Sequence, residues 1–336
     1  MMNKSRSAIL PVYNDNLLRA MLALKVEERT LPGLQKDEVL VKMEGAPCNP
    51  SDIAFLRGGY NIVKPLPAVP GFEGAGTVVE TGTEARSLMG KRVSCFVQED
   101  NDGTWAEYFI AKSKDCILLK AGVDWMQAAC LSINPMTAWA MFDMADKAGC
   151  KAFIQDAAGG QVPGIMQQLA DIKGIRVINL VRKSEAADAL KNRGASHVLN
   201  TGEEHFLEQL RQYCNELQPA FAFDAVGGDL AGAMLNAMPD GSRVVVYGAL
   251  SGSPIAGIDP MGIIFRKKSM TGFNLNDWLA NLTAEEFAAI TDKIQDLVIA
   301  GDIQTAVQGT FPLDRVVEGI RTYIKSMSAG KIIFTP

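Results

Sequence analysis

Between Lys151 and Lys183 the chain reads, in order, as a short apolar run (Ala152 to Gln155), two glycines (Gly159, Gly160), a proline (Pro163), an apolar set at helical spacing (Ile165, Met166, Leu169, Ala170), a second apolar run (Val177 to Leu180) and a basic pair, Arg182 and Lys183. That order is strand, tight turn, helix, strand, and a helical crossover of this kind leaves the two strands parallel. Glycines allow close backbone approach at the turn. Pro163 suits a first helical turn, where its missing N–H would have no partner. Such a helix start offers amide N–H groups and the positive end of the helix dipole to a pyrophosphate. In a dinucleotide unit the second strand ordinarily ends in Asp or Glu, which binds the ribose 2′-hydroxyl. Arg182 and Lys183 stand there instead, and a guanidinium pairs with the 2′-phosphate that a carboxylate would repel. The segment therefore predicts a doubly wound parallel sheet that takes NADPH in preference to NADH.

A length of 336 residues implies two domains. Residues 1–125 carry short β-like runs between turns, at Glu38 to Met43, Gly74 to Val79, Arg92 to Val97 and Ala106 to Ile110, which predicts a mostly antiparallel β domain. From about Trp125 helix and strand patterns alternate, and Ala220 to Asp224 and Arg243 to Tyr247 continue the parallel set. Thr283, with Glu285 and Glu286 behind it, marks a helix start, and Gly301 a helix end. The tail Gly330 to Phe334 is β-like and is expected to return to the first domain. The predicted boundaries are 1–127 with 285–336 for the β domain and 128–284 for the nucleotide domain, with a cleft between them. Ser269 to Leu275 reads as an edge strand of the nucleotide domain.

The net charge of −5 argues against a nucleic-acid partner but permits a local basic site. No apolar run reaches membrane-spanning length, and the first residues lack the apolar core of a signal peptide, so a cytoplasmic location is expected. Six scattered cysteines without a Cys-x-x-Cys pair read as reduced thiols. Two histidines, His197 and His205, neither near a second plausible ligand in sequence, offer little for a catalytic zinc.

Other stretches carry a resemblance: Asn49-Pro50-Ser51-Asp52 followed by Gly59-Tyr60, Leu66 to Gly74, Asn134 to Trp139, Asp224 to Gly228, Tyr247 to Leu250, and Ile264-Phe265 with Gly272 to Leu275 and Trp278. On these, nearly the whole chain resembles the medium-chain dehydrogenase/reductase superfamily, in its zinc-independent branch of quinone reductases and 2-enoyl thioester reductases. The resemblance implies a GroES-like β domain beside the Rossmann domain and a homodimer paired through the Rossmann edge strand. It also implies cofactor contacts at Asn134, Gly159, Gly160, Gln161, Val162, Arg182, Lys183, Tyr247, Gly248, Ala249, Leu250, Phe273, Asn274, Leu275 and Lys331. Zinc-dependent members carry Cys where this chain has Asn49 and His where it has Phe72, so no metal is expected. Where relatives have Gly-Val-Gly in the phosphate turn, this chain has Gln161-Val162-Pro163. A side chain at 161 and a missing N–H at 163 predict weakened or shifted cofactor binding.

Without a metal, hydride must go to a small electrophilic acceptor, such as a quinone or a C=C bond conjugated to a carbonyl. The enolate-like oxyanion that forms then needs hydrogen-bond donors and a proton. Tyr60 is the candidate donor, by its ordinary pKa near ~10 and by the resemblance to thioester reductases. Lys64 is the better placed of the basic residues for a phosphorylated carrier such as coenzyme A, ahead of Arg266-Lys267-Lys268. Asp52 and Glu73 read as structural anchors. Three readings remain: a quinone or enone reductase, a 2-enoyl thioester reductase, and a non-catalytic NADPH-binding or structural protein of the same fold.

Overall fold

The β-rich first part of the sequence and its tail build the sheets of one unit. The computed structural model describes residues 4–98 and 102–336, and Met1 to Asn3, part of the amino-terminal reading above, lie outside the described residues. The chain divides into two units, Met1–Met136 with Ala288–Pro336, and Thr137–Phe287.

In the first unit the strands are β1 (Lys4–Ile9), β2 (Lys25–Thr30), β3 (Glu38–Pro47), β4 (Glu73–Thr81), β5 (Arg92–Phe96), β6 (Tyr108–Lys112), β7 (Cys116–Leu118), β14 (Val307–Pro312) and β15 (Lys331–Thr335), numbered along the chain. Strands β1 and β2 pair antiparallel with each other, and the rest run in the order β14-β15-β3-β4-β5-β7 with β6 on β3. All these pairs are antiparallel except β14 with β15. The tail thus adds a strand beside β3, placing Ile333 opposite Pro47. Large apolar side chains fill the interior, among them Phe55, Phe72, Trp105, Phe109 and Phe334. Trp105 meets Phe334 edge to face at 4.7 Å, an arrangement the ring quadrupoles favour.

The second unit carries β8 (Ala152–Gln155), β9 (Arg176–Val181), β10 (His197–Asn200), β11 (Phe221–Asp224), β12 (Arg243–Val246) and β13 (Ser269–Gly272), all parallel, in the order β10-β9-β8-β11-β12-β13. This is the doubly wound arrangement read from the βαβ segment. Apolar runs with little alternation suit it, because helices cover both faces of such a sheet. The strand order reverses between β8 and β11, and open α/β sheets bind ligands beyond the strand ends at such a point. β13 lies at the edge of the sheet. The helix Ala284–Ala300 is opened by Thr283, whose amide donates to Glu286 Oε2 at 2.9 Å while Glu286 returns its own amide to Thr283 Oγ1 at 3.1 Å. It closes at Gly301, whose φ of +80° is a left-handed turn suited to glycine.

The left-handed step after β8 falls on Ala157, with φ of 45°, while Gly160 has an ordinary φ of −80°. One local expectation is corrected. Lys64 is buried, at 3% exposure, with its ammonium 5.5 Å from the Phe72 ring centroid. Burial keeps it from meeting a phosphate at the surface. In the other basic stretch Lys268 is buried too, and its ammonium donates to the carbonyls of Leu235 and Asn236 at 3.0 Å each, satisfying the end of helix Gly228–Ala237.

Candidate functional site

In the second unit, helix Gln161–Lys173 starts directly beyond β8 with Gly160 as its cap. Gly160 donates to the Ala157 carbonyl at 2.7 Å, and a Cβ on Gly160 would lie 3.1 Å from that same oxygen, so glycine serves the close approach. Pro163 adds no N–H, and the first intrahelical bond runs from Gly164 to the Gly160 carbonyl at 3.0 Å. Gln161 and Val162 open the helix ahead of it, at the dipole's positive end. Pro163 also has a use: its carbonyl accepts from Gln155 Nε2 at 3.0 Å, and Gln155 donates in turn to Asn179 Oδ1 at 2.7 Å. This buried amide chain ties the helix start to β8 and β9. The Ala158 amide, bonded to the Leu180 carbonyl at 3.1 Å, holds the turn against the end of β9. Arg182 and Lys183 follow that end, both exposed, with no ion pair or side-chain hydrogen bond among the described residues. The turn, helix start and basic pair fit a dinucleotide bearing a 2′-phosphate.

At the switch point stand two carboxyls. Asp156 and Asp224 are both fully buried, just past β8 and at the end of β11. Asp156 Oδ1 accepts from the Ala225 amide at 2.7 Å, and Asp224 Oδ1 from the amides of Val226 and Gly227 at 3.1 and 2.9 Å. Among the described residues neither Oδ2 accepts an N–H hydrogen bond, and the two side chains lie against each other, close enough to share a proton. Burial, then the neighbouring Asp224, push Asp156 well above the usual carboxylate range, so it stays protonated there. The Tyr247 and Gly248 amides both donate to the Asp224 carbonyl, at 2.8 and 3.3 Å, and Leu250 to that of Ala225 at 3.0 Å. A Cβ at Gly248 would stand 2.7 Å from the Ala225 carbonyl oxygen, so only glycine lets the two strand ends run this close. Ala249 and Leu250 are exposed beyond it. Phe273 donates to the Val246 carbonyl at 2.8 Å, and Asn274 caps helix Leu275–Ala280, accepting from the Asn276 and Asp277 amides. The expected contact segments 247–250 and 273–275 therefore both lie past the carboxyl ends of neighbouring strands, as does the turn.

The first unit holds the remaining expected residues. Tyr60 follows the helix Pro50–Leu56, and its ring lies 5.2 Å from that of Phe72. Its hydroxyl accepts from Gln98 Nε2 at 3.2 Å, a partner that sequence reasoning did not single out. Burial raises its pKa, opposed by the Gln98 hydrogen bond, so the phenol stays protonated through the neutral range. Asn134, buried, opens the helix Asn134–Lys147.

Lys331 is buried in the first unit. It is 1% exposed, and its ammonium donates to Asn49 Oδ1 and toward the Cys48 carbonyl. Asn49 Nδ2 donates to Glu73 Oε2 at 3.1 Å, while Glu73 Oε1 accepts from Ser132 Oγ at 3.3 Å and the Ile133 amide at 2.7 Å. Asp52 accepts from the Asn49 and Phe72 amides at 2.7 and 3.1 Å. Asn49 and Phe72, the positions of Cys and His in zinc-dependent relatives, thus belong to a buried network with a lysine cation in it. Among the described residues no group of three His, Cys, Asp or Glu is placed to hold a metal ion. No helix among them is long and apolar enough to cross a membrane.

Comparison with known proteins agrees with both halves of this geometry. Residues 35–121 match the family model described as alcohol dehydrogenase GroES-like domain, and residues 164–296 that described as zinc-binding dehydrogenase. The mitochondrial enoyl-[acyl-carrier-protein] reductase of Xenopus tropicalis is 31% identical over 267 residues, 78% of this chain and 75% of its own length. Its Bos taurus counterpart is 29% identical over 321 residues, 93% of this chain and 84% of its own. A crystal structure from Mesorhizobium loti, of a protein assigned as an NADPH:quinone reductase, superposes with a TM-score of 0.93 at 33% identity, covering 100% of this chain and 99% of that one. Identity at this level along most of both sequences, on the same pairing of a GroES-like β unit with a doubly wound sheet, makes the chain a member of the medium-chain dehydrogenase/reductase superfamily of oxidoreductases.

Proposed function

We propose that the protein is a zinc-independent NADPH-dependent reductase acting on a quinone or on a C=C bond conjugated to a carbonyl. The observation that carries this reading is the exposed Arg182–Lys183 pair just past β9, with no ion pair among the described residues, near the helix start capped by Gly160. NADPH, when bound, supplies the hydride. The chain's own residues do the rest. Gln161 and Val162 present amides to the pyrophosphate, and Arg182 reads the 2′-phosphate. Tyr60 holds a proton on its hydroxyl for the oxyanion that develops on the acceptor. Gln98 fixes the phenol by donating to its oxygen, which leaves the Tyr60 O–H to point away toward substrate. Lys331 supports the zinc-free reading, since an ammonium already bonds Asn49.

Replacing Arg182 by glutamate tests the cofactor assignment. NADPH affinity should fall about 100-fold, from loss of charge-assisted hydrogen bonds and new repulsion, while NADH affinity changes only a few-fold. Fluorescence titration reads both, and equal losses would remove Arg182 from phosphate recognition. Failure of the wild-type chain to bind either nucleotide would instead favour the non-catalytic reading.

The enoyl-[acyl-carrier-protein] reductases among the relatives favour a second acceptor, a 2-enoyl thioester. Comparing kcat/KM for an enoyl-coenzyme A, a truncated thioester and a small enone separates the two. The reading also includes a homodimer through the β13 edge, next to which helix Pro260–Phe265 exposes Met261, Ile264 and Phe265. Light scattering should give twice the chain mass and Phe265→Glu a monomer; a monomeric wild type would end that part of the proposal.

A further inference from the structure

All six cysteines are buried and reduced, and among the described residues two of them meet: Cys95 Sγ and Cys116 Sγ are 3.5 Å apart. They are direct partners across the antiparallel pair β5–β7. The hydrogen-bond pattern fixes which kind of partner. Leu119 donates to the Arg92 carbonyl at 3.0 Å, so that opposed pair is a bonded one. Bonded and non-bonded pairs alternate along the ladder, and the register Val93–Leu118, Ser94–Ile117, Cys95–Cys116 makes the cysteines a non-bonded pair. Opposed residues of that kind have Cα atoms about 4.5 Å apart, inside the range of about 4.4–6.8 Å that a disulfide spans.

Access comes from the strand. β7 has three residues and ends the sheet, with β5 its one neighbour in the strand order. Leu118 on it is 51% exposed and Cys116 7%, against 0% for Cys95. Short edge segments open at lower free energy than interior ones, so Cys116 is the thiol a small oxidant reaches. Burial, and then the Cys116 thiol, push the Cys95 thiol well up, so Cys116 rather than Cys95 is the first of the pair to react.

We propose that Cys95 and Cys116 are a latent disulfide, a modification site that hydrogen peroxide closes into a staple between β5 and β7. The Cys116 sulfur attacks the peroxide O–O bond; an S–O bond forms, the O–O bond breaks, and water leaves. The Cys95 sulfur then attacks the sulfenic sulfur, the S–S bond forms, and the S–O bond breaks, its oxygen leaving as water with the Cys95 proton. Two thiols lose two protons and two electrons, and hydrogen peroxide is reduced to two waters.

The test treats the full-length folded protein with hydrogen peroxide, denatures it, alkylates the remaining thiols and maps the peptides. Alkylated cysteines should fall from six to four, two being joined, in one cross-linked peptide pair containing Cys95 and Cys116. The thermal transition of the oxidised protein should rise and return on reduction. Six alkylated cysteines, a bridge between other positions, or sulfinic acid at Cys116 with Cys95 still alkylated would each overturn the proposal. Cys116→Ser should lose the bridge and Cys130→Ser keep it. The mapping of the wild-type chain needs neither variant to fold. The readout is mass, so it stands apart from whether the reductase reading holds.

Discussion

Tyr60→Phe should lower kcat by about 10²–10⁴-fold toward an enone or enoyl thioester, the usual range for removing a positioned proton donor, with NADPH affinity unchanged. The substitution keeps the ring against Phe72, so packing is preserved and the hydroxyl alone is deleted. The raised pKa of Tyr60 adds a pH signature. The wild-type rate should hold through neutral and mildly alkaline pH, because the phenol is protonated there, and fall only above its ordinary pKa near ~10. A Phe variant that keeps kcat within a few-fold would take the proton-delivery role away from Tyr60. Gln98→Leu should weaken kcat less than Tyr60→Phe does, since it removes the restraint and leaves the proton.

Lys331→Met should destabilise the protein by about 3–5 kcal/mol, the cost of removing one partner from a buried charge network. Methionine fills much of the same space, so the loss is electrostatic. Burial pushes the Lys331 pKa down and the Glu73 pKa up, while each charge partly offsets the other's penalty. Denaturant titration reads the effect, and Glu73→Gln in the Lys331→Met background should restore part of it. A loss under about 1 kcal/mol would mean that the network stands without its cation. Asp52 fixes the sign of the pH dependence. Burial raises its pKa from 3.8 to about 7, against its two backbone donors and Lys331. The folded state therefore holds the proton more tightly than the unfolded one. Its contribution is complete below about pH 4 and is lost as pH rises through about 7, on the order of 4 kcal/mol in all. Asp52→Asn should flatten the slope of stability against pH in that window, and an unchanged slope would assign it to other groups.

Patterns local in the chain are legible in the sequence. Ala152 to Gln155 forms β8 with the bounds read from its apolar run, and Thr283 with Glu286 forms a reciprocal cap, because each depends on residues a few positions apart. The basic pair at the end of β9 was legible for the same reason, its place being set by the length of one βαβ unit. The left-handed step at Ala157 was not, since a glycine pair nearby attracts the assignment and only the hydrogen bond from Ala158 to Leu180 requires the bend earlier. Lys64 misled in a similar way. A lysine in a loop reads as solvated, and its backbone is held by Tyr13, whose hydroxyl accepts from the Lys64 amide and donates to its carbonyl, both at 2.9 Å.

The sequence by itself determined the two kinds of architecture, the tight turn after β8 and the basic strand end, because hydrophobic period, turn chemistry and charge act over one or two elements. Tertiary structure decided which distant groups share a site. Lys331 meets Asn49 across 282 positions because β15 pairs with β3, and Gln98 meets Tyr60 across 38. Asp156 and Asp224 become neighbours because β8 and β11, apart in the chain, are adjacent where the strand order reverses. Cys95 and Cys116 face each other through the register of one short edge strand. Sheet order and register are set by the packing of whole layers, and no local pattern encodes them.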